Sequence, residues 1–347
     1  MELLSQELSK KLDAKGGPIH VCAEGWTRLR PVDMLVKDPN NLLTVLTGQC
    51  KALVWDEQYF ESTGRGRVRG VSVAVHDGIC GVGEREFDVL AARDVILCCG
   101  ALETPRLLLH SGIGLPSQIR CLSRRQRRVV PRVGEADAVE MRVGSGLRDH
   151  WTVRLRATLP ARFAKGYGLC ASRYVLTHKH RYKDLSVGFG KWRAMGMGGR
   201  ALVSVGTATC HDTGAIKWDQ ERGEFLPRLT FGDRDRTLFE AQLQELRDDL
   251  QRALGIRLTD PFVPLPGRKR IMNPNWHYCG TCANAVIGNG DLRVKRVGNL
   301  RIADISTLSD IPTANTQIWA YLVAWIAVCG IQASEKEYPP PIGGRRN

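Results

Sequence analysis

The most informative pattern of apolar and polar positions is an apolar run, a small-residue turn and a short apolar helix. Residues 94–99 (DVILCC) predict a buried strand, and residues 100–101 (GA) predict a turn with almost no side chain. Residues 104–105 (TP) are typical of an N-cap followed by proline at the first helical position. Residues 106–111 then predict a helix, which Gly112 ends. The backbone N–H groups at such a helix N-terminus can seat a phosphate or another anion.

A different pattern, short segments of alternating apolar and polar residues, fills the middle of the chain. These segments predict strands of an antiparallel sheet and are residues 151–158, 173–177, 201–208 and 225–231. A helix is predicted over residues 233–254, with one side formed by Leu238, Leu243, Leu246 and Leu250. The middle of the chain is therefore predicted to be a sheet supported by a helix.

The two ends of the chain add further elements. Residues 16–18 (GGP) are predicted to break a first helix, and strands are predicted at 19–22, 42–47, 51–55, 71–76 and 87–92. The most apolar run, residues 318–331, is shorter than a membrane span requires and is predicted to be a core helix. Strands and helices mixed in this way predict an α/β fold that also contains α+β (antiparallel) parts.

The positive net charge of the chain raises the alternative of a nucleic-acid-binding protein. The 50 Lys and Arg residues outnumber the 36 Asp and Glu residues, which gives a net charge of +14 and would suit an anionic partner such as nucleic acid. Part of the excess is local, in Arg124, Arg125, Arg127, Arg128 and Arg132. Because no aromatic side chains lie between these arginines, a base-stacking platform is not indicated. We therefore predict a solvated basic loop and no nucleic-acid partner.

The cysteines favour reduced thiols over a disulfide framework. Their number, eleven, is odd, and Cys98 and Cys99 fall inside the predicted buried strand. The C-x-x-C pair Cys279 and Cys282 has His277 just ahead of it, but a structural zinc site needs a fourth ligand and no second pair is present. We predict that the chain holds no metal.

Seven blocks resemble, in the same order, segments of one enzyme family. They are residues 17–21 (GPIHV), 41–55 (NLLTVLTGQCKALVW), 100–114 (GALETPRLLLHSGIG), 143–150 (VGSGLRDH), 275–282 (NWHYCGTC), 291–304 (DLRVKRVGNLRIAD) and 306–321 (STLSDIPTANTQIWAY). Residues 100–114 resemble the second signature of the glucose–methanol–choline (GMC) family of FAD-dependent alcohol oxidoreductases. Several ordered blocks are far more specific than any one of them.

The resemblance implies a site and a reaction. Alcohol oxidation removes the hydroxyl proton and transfers hydride from carbon to flavin. The histidine of the family's H-x-x-G-T block is the base, which corresponds to His277, and histidine has the unperturbed pKa closest to neutrality. A second residue that precedes a T-Q pair contacts the same hydroxyl, which corresponds to Asn315. An asparagine there can donate a hydrogen bond to the developing alkoxide, or can cap the following helix.

The resemblance also implies FAD contacts and domains. The implied FAD-binding positions are Cys50, Gly100, Ala101, Ala303, Asp304, Thr316 and Gln317. Cys50 could equally be a buried strand residue. The implied domains are a partial FAD-binding domain with the segment leading into the substrate domain (1–150), a substrate domain of antiparallel sheet plus helix (151–265), a C-terminal segment with the active-site residues (266–335) and a flexible tail (336–347).

One hallmark of dinucleotide binding does not occur in the sequence. No strand is followed by a G-x-G-x-x-G turn and a helix, so the resemblance implies an incomplete, Rossmann-like FAD-binding domain that corresponds to the C-terminal part of the family. The first hypothesis is an FAD-dependent oxidoreductase acting on a CH–OH donor. The alternative is a truncated, non-catalytic protein that binds a partner or small ligand. The alcohol, the electron acceptor and the localisation stay open.

Overall fold

The computed structural model describes residues 7, 10–11, 14–18, 23–24, 27–28, 48–63, 65–76, 84–120, 141–163, 172–176, 185–195, 198–260, 272–286, 290–313 and 315–337. The strands predicted at 19–22 and 42–47, the arginine cluster at 124–132 and the tail beyond residue 337 lie outside the described residues. The chain divides into two compact units. The first contains residues 1–46, 150–211 and 231–275, and the second contains residues 47–149, 212–230 and 276–347.

The described elements are numbered along the chain. The strands are β1 Ala14–Pro18, β2 Ala23–Glu24, β3 Thr27–Arg28, β4 Gly48–Trp55, β5 Val68–His76, β6 Glu84–Leu90, β7 Val95–Leu97, β8 Ser145–Leu147, β9 Trp151–Pro160, β10 Ser172–Leu176, β11 Leu185–Met195, β12 Gly198–Thr207, β13 Gly214–Asp219, β14 Glu224–Arg228, β15 Arg257–Thr259, β16 Asn273–Pro274 and β17 Leu300–Ile302. The helices are α1 Glu57–Thr63, α2 Gly100–His110, α3 Pro116–Ile119, α4 Asp233–Leu254 and α5 Gln317–Glu337.

The first unit is built on a seven-stranded antiparallel sheet. Its order is β1-β10-β11-β12-β9-β15, with β16 also paired to β9, so the antiparallel sheet predicted from residues 151–158, 173–177 and 201–208 is confirmed. The fourth predicted strand, β14, instead pairs with β13 in the second unit. Gly16 and Gly17, predicted to break a helix, belong to β1, which is an edge strand and therefore tolerates them.

Helix α4 has the predicted bounds, and an aromatic chain links it to the sheet. Phe239 on the helix contacts Phe231 (ring centroids 6.2 Å apart), and Phe231 contacts Trp151 at the start of β9 (5.4 Å). Gly255 ends the helix in a left-handed conformation, φ 69°. Leu238, predicted to face the core, is 38% exposed, and Phe239 takes the buried position beside it.

The second unit holds three small sheets. Strands β4-β5-β6 and β14-β13-β8 form antiparallel sheets, and β7 pairs in parallel with β17. A core of buried apolar side chains joins them, including Leu97 of β7, Leu108 of α2, Phe225 of β14 and Ile302 of β17. The predicted mixed α/β class is confirmed. The parallel pair places the carboxyl ends of β7 and β17 side by side, where α/β proteins usually bind ligands.

Helix α5 is not the core helix that its apolar sequence predicts. Val323 and Ala327 are buried on one side, whereas Trp325 is 66% exposed and only 11% of the window Gln317–Ser334 is buried. This helix is apolar on all sides, but the described part of the chain covers one stripe of it. With mean hydropathy 1.3, the window also meets the length and composition of a membrane span, as core helices of soluble proteins can.

A buried arginine anchors that covered stripe. Arg301, at the centre of β17, donates to Ser334 Oγ of α5 (2.7 Å), to the carbonyl oxygen of Asp291 (2.6 Å) and to the Asp291 carboxylate. Gly330 faces the same guanidinium group, and an added Cβ there would lie 3.3 Å from Arg301 Nη1. The last helix is therefore fixed to the parallel strand pair by polar contacts.

Candidate active site

A single buried carboxylate holds the backbone at His277, which is half-buried in the loop after β16. Asp149, fully buried, accepts the backbone N–H of His277 at Oδ1 (2.8 Å) and that of Trp276 at Oδ2 (3.0 Å). Trp276 has a left-handed backbone, φ 59°, and is 77% exposed. A non-glycine residue in this conformation costs about 1–2 kcal/mol, so the two charge-assisted bonds stabilise the backbone that presents His277.

The residues after His277 are tied to two other segments. Cys279 exchanges two backbone hydrogen bonds with Arg148, each 3.1 Å long. The N–H of Gly280 donates to the carbonyl of Ile305 (3.2 Å) in the short helical turn Ile305–Thr307, which follows β17. Three blocks that are far apart in the sequence, 143–150, 275–282 and 304–306, therefore meet around His277.

The fourth block, helix α2, joins them through a threonine. Pro105 lies inside α2 and has no N–H to donate to the carbonyl of Ala101, four residues earlier. The Thr281 hydroxyl donates to that carbonyl instead, at 2.7 Å, and both residues are buried. The threonine of the H-x-x-G-T pattern thus satisfies a helix carbonyl that the proline leaves open.

The glycine of the same pattern is required by a close backbone approach. Gly280 has φ 92°, and a Cβ added there would overlap the carbonyl oxygen of Gly146. Gly146 is itself left-handed, φ 80°. The two loops pack backbone to backbone at Gly280, where there is no room for a side chain.

The anion seat predicted at the N-terminus of α2 holds a carboxylate of the chain itself. Asp304 accepts the N–H of Gly100 (3.0 Å) and the hydroxyl of Thr104 (2.6 Å) at Oδ2, and the N–H of Ser306 (2.8 Å) at Oδ1. The prediction that Thr104 caps the helix is wrong, because α2 begins at Gly100 and the Thr104 hydroxyl donates to Asp304. The backbone N–H of Gly100 therefore already has an acceptor and does not need a phosphate.

The carboxyl ends of β7 and β17, beside the Asp304 carboxylate, form an open edge. Gly100 has φ 80°, and a Cβ added there would meet no atom within 4 Å. Cys98 and Cys99, predicted inside a buried strand, are instead exposed, because β7 ends at Leu97 and they follow its carboxyl end. Small or exposed residues at the carboxyl ends of β7 and β17 fit the close approach of a flavin nucleotide.

The other expected site residues lie around this edge in the same unit. Ala303 is buried, and its N–H donates to the carbonyl of Leu97 (2.8 Å), which extends the parallel pairing to the start of the Asp304 turn. Asn315 is exposed immediately before α5, Thr316 is buried, and Gln317 is the first residue of the helix. Helix α5 contacts the turn Ile305–Thr307, the same turn that binds Gly280.

Cys50 is half-buried on β4 and packs against the apolar core of the second unit. Its strand is joined to the end of α2, since the N–H of Leu53 donates to Ser111 Oγ (2.9 Å) and the indole N–H of Trp55 donates to the Ser111 carbonyl (3.1 Å). Burial raises the pKa of the Cys50 thiol to about 11. Cys50 is thus a half-buried residue of the strand that is joined to the end of α2.

The C-x-x-C pair lies in the interior of the protein. Cys279 and Cys282 are both fully buried, and burial raises the pKa of each thiol to about 12. Among the described residues, no group of three or more His, Cys, Asp or Glu side chains could hold a metal ion. No disulfide joins the seven cysteines within the described ranges.

Two residues that sequence reasoning did not assign are central to this geometry. Asp149 lies in the block 143–150 and Thr281 in the block 275–282, so both were inside segments that carry the resemblance. Their functions depend on hydrogen bonds to residues more than a hundred positions away. In the sequence, Asp149 could be noticed only as a charged residue two positions before strand β9.

Two sequence profiles of known families match the chain. Both are described as GMC oxidoreductase: the N-terminal domain profile matches residues 34–152 and the C-terminal domain profile matches residues 214–324. Together they cover more than half of the chain and include every candidate site residue named above.

Individual relatives agree with these matches. Glucose oxidase 2 of Penicillium expansum is 28% identical over 142 residues, which is 41% of this chain and 20% of that protein. Pyridoxine 4-oxidase from Mesorbium loti is similar in fold, with TM-score 0.61 and 20% identity over 90% of this chain and 63% of that one. A formate oxidase gives TM-score 0.66 and 19% identity over 88% and 63%. The chain spans about three fifths of these solved structures and a fifth of the curated relative.

Proposed function

Since the chain belongs to the GMC oxidoreductase family, we propose that it forms an FAD-dependent enzyme, or part of one, that oxidises a CH–OH group to a carbonyl. The observation that carries the proposal is the geometry at His277, where the buried Asp149 carboxylate accepts two consecutive backbone N–H groups. This arrangement fixes the main chain at the candidate base while its imidazole stays half-exposed. The names of the relatives differ in substrate, and the donor is therefore proposed only as a class.

The proposed chemistry divides between two side chains. The His277 imidazole accepts the hydroxyl proton as the C–H bond breaks and the carbonyl forms. The Asn315 amide, exposed at the start of α5, donates a hydrogen bond to the oxygen as negative charge develops on it. Bound FAD would supply the acceptor for the hydride that leaves the carbinol carbon. The proton on His277 is then released to solvent, which restores the neutral base.

The proposed flavin contacts follow the open edge. Gly100 and Ala101 would hold the adenosine side, together with Cys50 on strand β4. Ala303 and Asp304, which follow the parallel strand β17, would hold the diphosphate or ribityl chain through their backbone. Because the Asp304 carboxylate already accepts the Gly100 N–H, its proposed role is to hold these segments together. Thr316 and Gln317 complete the set next to Asn315.

The proposed domain organisation assigns a partial FAD-binding domain to residues 1–150, a substrate domain to 151–265, an active-site segment to 266–335 and a tail to 336–347. The described structure supports one refinement. Residues 212–230 belong to the unit that contains α2 and His277, because β13 pairs with β8. The antiparallel sheet and α4 therefore form the main part of the proposed substrate domain.

The test is flavin reduction under anaerobic conditions. The purified chain with FAD is mixed with glucose or pyridoxine, and flavin bleaching is followed. The proposal expects bleaching with at least one hydroxyl-bearing donor, at least a hundredfold slower in His277→Ala. The matched control is His110→Ala, since His110 packs edge-on against Phe225. Equal rates in His277→Ala and the unmodified chain would contradict the assigned base, and a chain that never takes up flavin would favour the non-catalytic alternative.

A further inference from the structure

One face of the sheet in the first unit carries a group of exposed arginines. Along β9, buried Leu155 and Ala157 alternate with exposed Arg154, Arg156 and Thr158. The neighbouring strands show the same alternation, because buried Ala201 and Val203 on β12 separate exposed side chains. The exposed side of β9, β12 and β15 forms an arginine face, which consists of Arg154, Arg156, Thr158, Arg200, Leu202, Ser204, Arg257 and Thr259.

The register brings three of the arginines around one threonine. Arg200 on β12 and Arg257 on β15 are each directly opposite Thr158, one on either side of it. Directly opposite residues have Cβ atoms about 5 Å apart, and Arg156 is about 7 Å along the strand. The three guanidinium groups can therefore reach a single small group above the Thr158 hydroxyl.

No carboxylate in the described part of this face balances the charge. The residues opposite Arg154 and Arg156 on β12 are Ser204 and Leu202, and Thr259 is opposite Arg156 on β15. The acidic residue that follows β15, Asp260, is already paired with Arg247 at 2.7 Å. Within the described ranges the arginines of the face form no ion pair. Like charges on neighbouring strands repel, so an anion would stabilise this arrangement.

We propose that the arginine face binds the phosphate or sulfate group of a small molecule above Thr158. Planar guanidinium groups match the oxygens of such an anion and can each donate two hydrogen bonds. The Thr158 hydroxyl adds one more donor from below. The exposed apolar residue on the described part of the face is Leu202, and without an aromatic side chain there the face offers no stacking platform for a nucleic acid. This site does not depend on the proposed oxidoreductase activity.

The test is isothermal titration of the full chain with pyrophosphate and with sulfate at low ionic strength. The double variant Arg200→Gln/Arg257→Gln is compared with Arg69→Gln/Arg222→Gln, which removes the same charge from two exposed positions elsewhere. The proposal expects saturable binding that weakens at least tenfold in the first variant and less than twofold in the second. Arg156→Gln alone is expected to weaken binding severalfold and serves if the double variant does not fold.

Three results would overturn the proposal. The unmodified chain could show no saturable heat with either anion. The two double variants could lose binding equally, which would show that net charge and not the arginine face attracts the anion. A single-stranded thymidine oligonucleotide could bind more tightly than pyrophosphate at the same salt concentration, which would point to a polymer and not to a small molecule.

Discussion

Replacing Asp149 by asparagine removes the charge that holds the backbone at His277. The asparagine oxygen can still accept one N–H, but its amide group would face the other N–H as a second donor. The variant therefore keeps one neutral hydrogen bond in place of two charge-assisted ones and leaves Trp276 in a left-handed conformation with less support. Together these effects predict a loss of about 2–4 kcal/mol in the free energy of unfolding.

Urea denaturation followed by circular dichroism measures this loss. Asp88→Asn is the matched control, because Asp88 is exposed on β6, and its change should stay below about 0.5 kcal/mol. Adding Trp276→Gly to the Asp149 variant should recover about 1 kcal/mol, since glycine adopts a left-handed backbone without steric cost.

Two results would refute this reasoning. If Asp149→Asn is as stable as the Asp88 control, the two hydrogen bonds do not hold the loop. If Trp276→Gly further destabilises the Asp149 variant, the left-handed backbone is not the source of the cost.

Three more predictions follow from the same unit. Gly280→Ala should lower the free energy of unfolding, measured by urea denaturation, by more than about 3 kcal/mol, because its Cβ would overlap a backbone carbonyl at positive φ. The control Gly298→Ala has no atom within 4 Å of the added Cβ and should change the free energy of unfolding by less than about 1 kcal/mol. Thr104→Val should cost about 1–3 kcal/mol because it removes a buried hydroxyl donor to a carboxylate, and Thr104→Ser should restore most of that loss. The pKa values of Cys279 and Cys282 are raised from about 9 to about 12, so the stabilisation from these protonated thiols is complete below pH 9 and is lost between pH 9 and 12. Over that range the free energy of unfolding should fall by about 1.4 kcal/mol per pH unit for each thiol. Replacing both cysteines by alanine should remove this part of the pH dependence.

Local sequence signals predicted those elements whose ends are determined locally. Helix α4 has its predicted bounds because glycines flank it, and Gly255 supplies the left-handed C-cap. Its buried side was assigned less well, since the leucine spacing favoured Leu238 over its neighbour Phe239 and only the aromatic contacts with Phe231 decide between them. Patterns along one element thus predict where it begins and ends better than which residue packs.

Long-range hydrogen bonds account for what the sequence could not predict in the site. The start of α2 was misplaced because the Thr104 hydroxyl donates to Asp304, two hundred residues away, and does not cap the helix. The position of His277 was predicted from the resemblance, but the partner of its backbone, Asp149, depends on how two loops pack. Helix α5 was assigned to the core from its apolar composition alone, which does not show how many of its sides are covered.

The visible absorbance spectrum after incubation with FAD and desalting tests directly whether the purified chain binds the flavin. We expect the flavin bands to remain with the protein. In Asp304→Ala, Gly100 and Thr104 lose the carboxylate that accepts their hydrogen bonds, and the retained bands should be strongly reduced. A folded chain that emerges colourless would contradict the assignment of an FAD-dependent reaction to this chain.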